Sequence, residues 1–166
     1  EDALQDLGIP VFHDDQHGTA IAVLAAVINS LGVTNRRIEE TKFVFAGAGA
    51  GGIASTKLLM DFGAKNITLV DSTGIISQSR TNLTPVKTAM LASTNPDNLE
   101  GNLSDALRGA DVFIGLSVAD TVSQEMISSM AKDSIVFAMA NPIPEIMPHL
   151  AKEAGAAVVG TGRRDF

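Results

Sequence analysis

The sequence has 166 residues, 45% of them apolar, and a formal net charge of −7 at pH 7. Such a chain is long and apolar enough to form one globular domain with a core, which excludes a disordered protein. Its acidic balance, with no run of Lys or Arg, excludes an electrostatic surface for nucleic acid. The absence of cysteine excludes disulfides, a thiolate nucleophile and cysteine-based zinc sites, and it suits a cytoplasmic protein.

The apolar runs and the two ends of the sequence indicate what kind of chain this is. No apolar run reaches the roughly 18 residues that a membrane span needs, so we expect no membrane partner. The chain begins at Glu1 rather than Met and ends on Arg-Arg-Asp-Phe without an obvious boundary. We therefore expect residues 1–166 to form one domain of a larger protein.

Helical stretches and apolar runs alternate along the whole chain. The first helix is predicted over 18–31, and Gly32 follows it where a left-handed cap is expected. Because this stretch carries no charge, we expect the helix to be buried on every side. Further helical segments are predicted within 47–63, 84–93, 103–109, 123–131 and 146–156. Buried strands are predicted over 41–46, 66–71, 110–117, 133–141 and 156–162.

The strand segments are short, continuous runs rich in Val, Ile and Phe. Runs of this kind, separated by helices, are typical of a parallel sheet with helices on both faces. The sequence therefore predicts a Rossmann-like, doubly wound α/β fold preceded by one extra helix.

A glycine-rich turn follows the first predicted strand and opens the next helix. Gly47, Gly49 and Gly52 form the pattern G-x-G-x-x-G, in which the first glycine permits a tight turn, the second lets a pyrophosphate approach the backbone, and the third lets helix and strand pack closely. The free N–H groups at the helix start favour phosphate. The residues predicted to bind the cofactor at this turn are Gly47, Ala48, Gly49, Ala50, Gly51 and Gly52.

Asp71 ends the second predicted strand about 20 residues beyond the glycine turn, where an acid accepts hydrogen bonds from the adenine ribose. A carboxylate there would repel the 2′-phosphate of NADP, so NAD is the expected cofactor, with NADP as the other possibility. Arg80, in the loop that follows, is a candidate partner for that phosphate, although we interpret it as a solvated loop cation.

Two later strand ends belong to the same edge of the predicted sheet, where ligands of doubly wound folds bind. Ser117 is either a cofactor contact or a hydroxyl that caps nearby backbone. Asn141 is better placed for binding, because its amide can donate to a substrate carboxylate or to the nicotinamide ribose. Pro142 and Pro144 stiffen the loop that follows.

The most polar cluster precedes the first helix and contains His13, Asp14, Asp15 and His17. In one interpretation, Asp14 or Asp15 caps the helix and the histidines are partly exposed. In another, a carboxylate binds a hard divalent cation such as Mg²⁺ or Mn²⁺ near the nicotinamide. A zinc site is the least favoured, because the histidines lack further ligands at an evident spacing.

Five segments together resemble the malic enzymes of the small bacterial type: IPVFHDDQHGTA, VFAGAGAGGIA, VDSTGII, MANPIPEIMP and GAAVVGTGRRDF. The resemblance implies oxidative decarboxylation of L-malate to pyruvate and CO₂ with NAD(P)⁺ and Mg²⁺ or Mn²⁺. It also implies a homo-oligomer, usually a dimer, in the full-length protein. On this basis Asp15 is similar to the metal-ligating Asp, Asp14 to the Asp that tunes a catalytic lysine, and Asn141 to an asparagine that contacts malate.

The sequence also departs from the family pattern. It contains no tyrosine, although the family's general acid is a Tyr, and none of its lysines lies in the motif of the general base. Two further metal ligands, a Glu-Asp pair, are missing as well, because Glu1-Asp2 lies too close to Ile9 and is interpreted as solvated acids. The resemblance therefore implies the cofactor domain alone. A malolactic enzyme, a non-catalytic redox-sensing module and an amino-acid dehydrogenase stay open as alternatives.

Overall fold

The structure, a computed structural model, describes residues 2–165, with the side chains of Leu4 and of residues 6–165. A 3₁₀ helix, Asp2–Leu7, comes first. The strands are β1 (Lys42–Ala46), β2 (Asn66–Asp71), β3 (Gly74–Ile75), β4 (Val112–Gly115), β5 (Ile135–Ala138) and β6 (Val158–Thr161). The helices are α1 (Asp14–Thr34), α2 (Ala50–Asp61), α3 (Pro85–Met90), α4 (Leu103–Leu107), α5 (Gln124–Ser128) and α6 (Pro148–Glu153).

The strands form one sheet in the order β3-β2-β1-β4-β5-β6. All neighbours pair in parallel except β3, which pairs antiparallel with β2 at the edge. The predicted doubly wound α/β fold is confirmed. The sequence did not predict β3, because two residues are too few to show a hydrophobic pattern.

The sheet is covered on both faces. One core cluster joins residues of α1 and α2, such as Val27 and Leu59, to inward-facing residues of the strands, such as Phe45. A second cluster joins α4, α5 and α6 to the other face, around Phe113. Helices on both faces leave only the two ends of the strands open, and in parallel sheets the carboxyl end is where ligands bind.

The helix α1 is longer than predicted. It begins at Asp14 instead of residue 18, so both aspartates lie in its first turn, where their charge is favourable to the helix dipole. It ends at Thr34, and the left-handed cap is Asn35 (φ 52°) instead of Gly32. Asparagine is the commonest residue after glycine to take that role.

The prediction that α1 is buried on every side is wrong. Val23 and Val27 are fully buried against the rest of the domain, whereas Ile21 is 60% exposed and Val33 is 78% exposed. We expected no segment long and apolar enough to span a membrane. By length and composition alone, α1 is such a segment. Core helices of soluble proteins pass the same test, and the buried face of α1 packs against α2.

Candidate functional site

The glycine turn between β1 and α2 has the geometry that its sequence predicts. A Cβ atom on Gly47 (φ 112°) would lie 2.3 Å from the carbonyl oxygen of Leu116, and one on Gly52 would lie 1.9 Å from that of Gly47. Side chains are therefore excluded at the first and third glycines. The ideal Cβ position of Gly49 has no atom within 4 Å, so the middle of the turn is open to a ligand.

A cavity of about 640 Å³ opens at the carboxyl ends of the strands, directly above this turn. Its volume falls in the range of sites that hold a cofactor or another small ligand. It collects residues that are far apart in the sequence, and these include Gly47, Gly49, Asp71, Lys87 and Ser117. The cofactor residues predicted from separate strand ends are thus neighbours in space.

Asp71, at the end of β2, is surrounded by donors. Its Oδ1 accepts hydrogen bonds from the backbone N–H (2.9 Å) and hydroxyl (2.7 Å) of Thr73 and from Nη1 of Arg80 (2.8 Å). Its Oδ2 accepts from Nη2 of Arg80 (3.1 Å) and Nζ of Lys87 (2.7 Å). Arg80 also donates to the Thr73 hydroxyl, which fixes the guanidinium in place.

The interpretation of Arg80 as a solvated loop cation is therefore wrong. Its side chain is only 14% exposed and forms a two-pronged ion pair with Asp71. Partial burial alone would raise the pKa of Asp71, but the hydrogen bonds from Arg80, Lys87 and Thr73 outweigh it and hold that pKa well below its usual range. With two cations around one carboxylate, this end of the cavity carries a local charge of about +1, so Asp71 does not present an uncompensated negative charge to NADP.

Ser117 and Asn141 lie beyond β4 and β5. The hydroxyl and the backbone N–H of Ser117 both donate to Oε1 of Glu145, at 3.1 and 2.9 Å, and the exposed Ser117 also borders the cavity. The hydroxyl therefore donates to a carboxylate and not to nearby backbone, and its oxygen can still accept a hydrogen bond from a ligand.

Asn141 is exposed in the loop that follows β5, and its peptide bond to Pro142 is cis. Its Oδ1 accepts a hydrogen bond from Nη1 of Arg163 (3.3 Å). Arg163 is held in turn by the carboxylate of Asp165. The amide NH₂ of Asn141 forms no hydrogen bond with the described residues, so it is available as a donor.

The opening segment lies beside the glycine turn. The ideal Cβ position of Gly51 is 2.9 Å from the backbone oxygen of Asp15, so the starts of α1 and α2 are in direct contact. The N-cap of α1 is His13, and it makes no side-chain capping bond. The interpretation of Asp14 or Asp15 as the helix cap is therefore wrong.

Both aspartates are exposed, and neither carboxylate forms a hydrogen bond or ion pair with the described residues. Among the side chains that the structure describes, no group of three or more His, Asp or Glu is arranged to hold a metal ion. Asp15 fits a divalent cation as one hard oxygen ligand, and a complete site needs ligands from outside these residues. Glu1 and the side chain of Asp2, interpreted above as solvated acids, lie outside what the structure describes.

Three residues of the site were not predicted from the sequence: Lys87, Arg163 and Glu145. Lys87 follows Asp71 by 16 residues and lies in a predicted helix, so nothing in its spacing connected it with the cavity. Arg163 and Glu145 fall inside two of the five family-like segments, and that was the only available signal.

A family model described as "Malic enzyme, NAD binding domain" matches residues 16–162. The bifunctional malic/malolactic enzyme of Bacillus subtilis is 52% identical over 98% of this chain and 40% of its own length. The NAD-dependent malic enzyme of Geobacillus stearothermophilus is 50% identical over 98% of this chain and 34% of its own length. Relatives named NADP-dependent malic enzyme match as well.

Among solved structures, the NAD-dependent malic enzyme of Thermotoga maritima superimposes with a TM-score of 0.95 at 46% identity. The match covers 99% of this chain and 44% of that one, so the chain spans less than half the length of the relatives it matches. The resemblance read from five short segments is confirmed over nearly all of the sequence. The chain therefore belongs to the malic enzyme family and corresponds to that family's NAD-binding domain.

Proposed function

We propose that the enzyme containing this chain oxidatively decarboxylates L-malate to pyruvate and CO₂, and that residues 1–166 are its cofactor-binding domain. The observation that carries the proposal is the contact between the starts of α1 and α2, where Asp15 adjoins Gly51. This contact brings the first turn of α1, which carries Asp14 and Asp15, next to the glycine turn. A metal-dependent dehydrogenase needs its cation and its nicotinamide side by side in this way.

The nucleotide half of the site belongs to this chain. The turn from Gly47 to Gly52 offers backbone N–H groups and the positive end of α2 to the pyrophosphate. Asp71 and Lys87 face the cavity where the adenine ribose would lie. When bound, NAD(P)⁺ supplies the hydride acceptor, while the chain provides its position and the charge around it.

The metal and substrate contacts are supplied only in part by this chain. Asp15 is proposed as one carboxylate ligand of Mg²⁺ or Mn²⁺, an ion that polarises the substrate's carbonyl oxygen when bound. Asp14 is proposed to hold a catalytic lysine of the missing part in its working protonation state. Asn141, with its oxygen bound to Arg163, is proposed to donate its NH₂ to a malate carboxylate.

The rest of the enzyme is proposed to lie against the exposed apolar side of the N-terminal region. Phe12, Ile21 and Val33 are each at least 60% exposed, so these apolar side chains are available for such a contact. We propose that the general acid and base come from that missing part, that the enzyme is a homo-oligomer, and that it works in the cytoplasm.

A malolactic outcome is the second candidate, because the Bacillus subtilis relative carries both activities in its name. The test is to supply the intact enzyme with L-malate, NAD⁺ and Mn²⁺, to follow NADH by absorbance and to identify the product. Pyruvate formed in step with NADH supports the proposal, and lactate without NADH supports the malolactic alternative. An enzyme that binds NADH but converts no malate would contradict both and favour a redox-sensing module.

A further inference from the structure

Glu145 is the only charged residue among the described side chains that is fully buried, with an exposed fraction of 0%. It lies in the loop after β5, beneath the carboxyl edge of the sheet. None of the ion pairs formed by the described residues includes it. Burying a carboxylate without a counter-charge costs stability, so its presence calls for another explanation.

The carboxylate bridges the ends of two neighbouring strands. Its Oε1 accepts hydrogen bonds from the N–H (2.9 Å) and hydroxyl (3.1 Å) of Ser117, just beyond β4. Its Oε2 accepts one from the N–H of Ala140 (3.0 Å), just beyond β5. All three partners are donors, which suits a carboxylate and no neutral side chain of the same size.

The surrounding backbone is shaped to admit this carboxylate. An ideal Cβ atom on Gly115 would lie 2.4 Å from Cδ of Glu145 and 2.5 and 2.6 Å from its two oxygens. Only a glycine at the end of β4 therefore leaves room for it. The backbone oxygen of Glu145 also accepts from the N–H of Val122 (3.0 Å), which fastens the loop after β4 to the loop after β5.

The two strand ends serve different ligands of the proposed reaction. Ser117 borders the nucleotide cavity, and Ala140 immediately precedes Asn141, the proposed malate contact. We propose that Glu145 is a positioning residue that holds the nucleotide side and the substrate side of the site at a fixed spacing. The inference rests on the proposed function, because it concerns the alignment of malate with the nicotinamide.

Such a role predicts a specific kinetic pattern. Each ligand keeps its own contacts when Glu145 is changed, but the alignment of the hydride donor with its acceptor is lost. Alignment is expressed in the chemical step more than in binding. Changes at Glu145 should therefore lower kcat much more than they raise the KM for malate or for NAD⁺.

The test uses Glu145→Gln in the intact enzyme. Whichever way the amide is turned, its NH₂ group faces one backbone N–H, of Ser117 or of Ala140, so at least one bond becomes a donor–donor clash. We expect kcat to fall about tenfold or more, as for the loss of a hydrogen bond to a charged group, with each KM changed less than threefold. The matched control is Ile135→Val. Ile135 is buried at the start of β5, at the end of the strand away from Glu145, so this variant weakens packing without touching the site.

Two outcomes separate the possible failures. If Glu145→Gln lowers the melting temperature but has the same kcat as the control variant Ile135→Val, then Glu145 is merely structural and the inference is overturned. If the unmodified enzyme itself reduces no NAD⁺ with malate, the proposed function has failed instead. Should Glu145→Gln not fold, Gly115→Ala displaces the carboxylate without removing its charge, and the same loss of kcat is expected.

Discussion

Two carboxylate sites flank the glycine turn, and they differ in how far this chain completes them. Around Asp71, at the end of β2, five hydrogen bonds and two cations satisfy the side chain from within the domain. At the start of α1, Asp14 and Asp15 are exposed and make no such bond with the described residues. A carboxylate that is satisfied in the free domain shapes a site before the ligand arrives, whereas one that is left open is available to a ligand or a partner.

The difference indicates how the work of the enzyme is divided. The nucleotide region is formed in advance within this domain by a turn, a strand end and an ion pair. The proposed chemistry region needs groups from elsewhere, because Asp15 is the one metal ligand proposed for this chain and no group of three or more possible ligands lies among the described side chains. The predictions below test this division, beginning with the largest effect.

If this domain supplies only the nucleotide region, the isolated chain of 166 residues should bind nucleotide but catalyse no reaction. It has no tyrosine, and it presents a single proposed metal ligand. Calorimetric titration with NADH should therefore detect binding, while malate with NAD⁺ and Mn²⁺ should give no NADH above background. The intact enzyme under the same conditions is the control, and sustained turnover by the isolated chain would show that the chemistry is assigned to the wrong region.

Asp15→Asn in the intact enzyme tests the open site. An amide oxygen has no net charge, so the Mn²⁺ concentration for half-maximal activity should rise about tenfold or more, and excess Mn²⁺ should partly restore activity. Asp14→Asn is the matched control, because it removes the neighbouring exposed charge. It should lower kcat while the Mn²⁺ dependence stays near that of the unmodified enzyme. Superimposable metal titrations for all three proteins would contradict the metal assignment.

Asp71→Asn tests the closed site. Loss of this charged acceptor should raise the KM for NAD⁺ roughly tenfold, with the KM for malate little changed. The variant also frees Arg80 and Lys87 to attract a 2′-phosphate, so the ratio of kcat/KM for NADP⁺ to that for NAD⁺ should increase. An unchanged ratio would mean that Asp71 only organises its own loop.

Lys87→Met separates the two cations, because only Lys87 borders the cavity. The KM for NADP⁺ should rise by a factor of about three to five, as expected for one partly exposed phosphate contact, while the KM for NAD⁺ stays the same or falls. Lys57→Met, which removes an exposed charge on α2 away from the cavity, should change neither value. Equal effects on the two cofactors would exclude a role for Lys87 in choosing between them.

The smallest expected effect is on acid stability. The pKa of Asp71 is depressed in the folded protein, so its ionised form stabilises the fold above the unfolded pKa of about 3.9, and this contribution is lost as the pH falls toward the folded value. The difference in melting temperature between the unmodified protein and Asp71→Asn should therefore be largest near pH 6 and shrink below pH 4. A difference that is constant from pH 6 to pH 3 would contradict the ion-pair origin of the shift.

The features that depend on neighbouring residues could be predicted from the sequence. The glycine turn, the Asp71 position and five of the six strands follow from short-range patterns, and the structure has all of them. The start of α1 was misplaced by four residues, because two adjacent acids were interpreted as a boundary although acids are also favoured in a first helical turn.

Features that depend on contacts between distant segments could not be predicted. Arg80 reaches Asp71 across an irregular loop that has no period to follow. Charged residues are rarely buried, so nothing in the sequence pattern indicated that Glu145 would be. The exposed side of α1 was predicted to be buried because the helix carries no charge beyond its first turn. Composition shows how apolar a helix is, but it does not show which other elements cover it.

The fit between Gly115 and Glu145 also limits how this sequence can evolve. A larger residue at 115 displaces the glutamate carboxylate, since its Cβ would otherwise lie within 2.6 Å of three atoms of that side chain. Shortening the residue at 145 removes the same carboxylate. On the inference above either step lowers turnover, so selection for activity opposes both orders of substitution. We expect these positions to change together or not at all, even though 30 residues separate them in the chain.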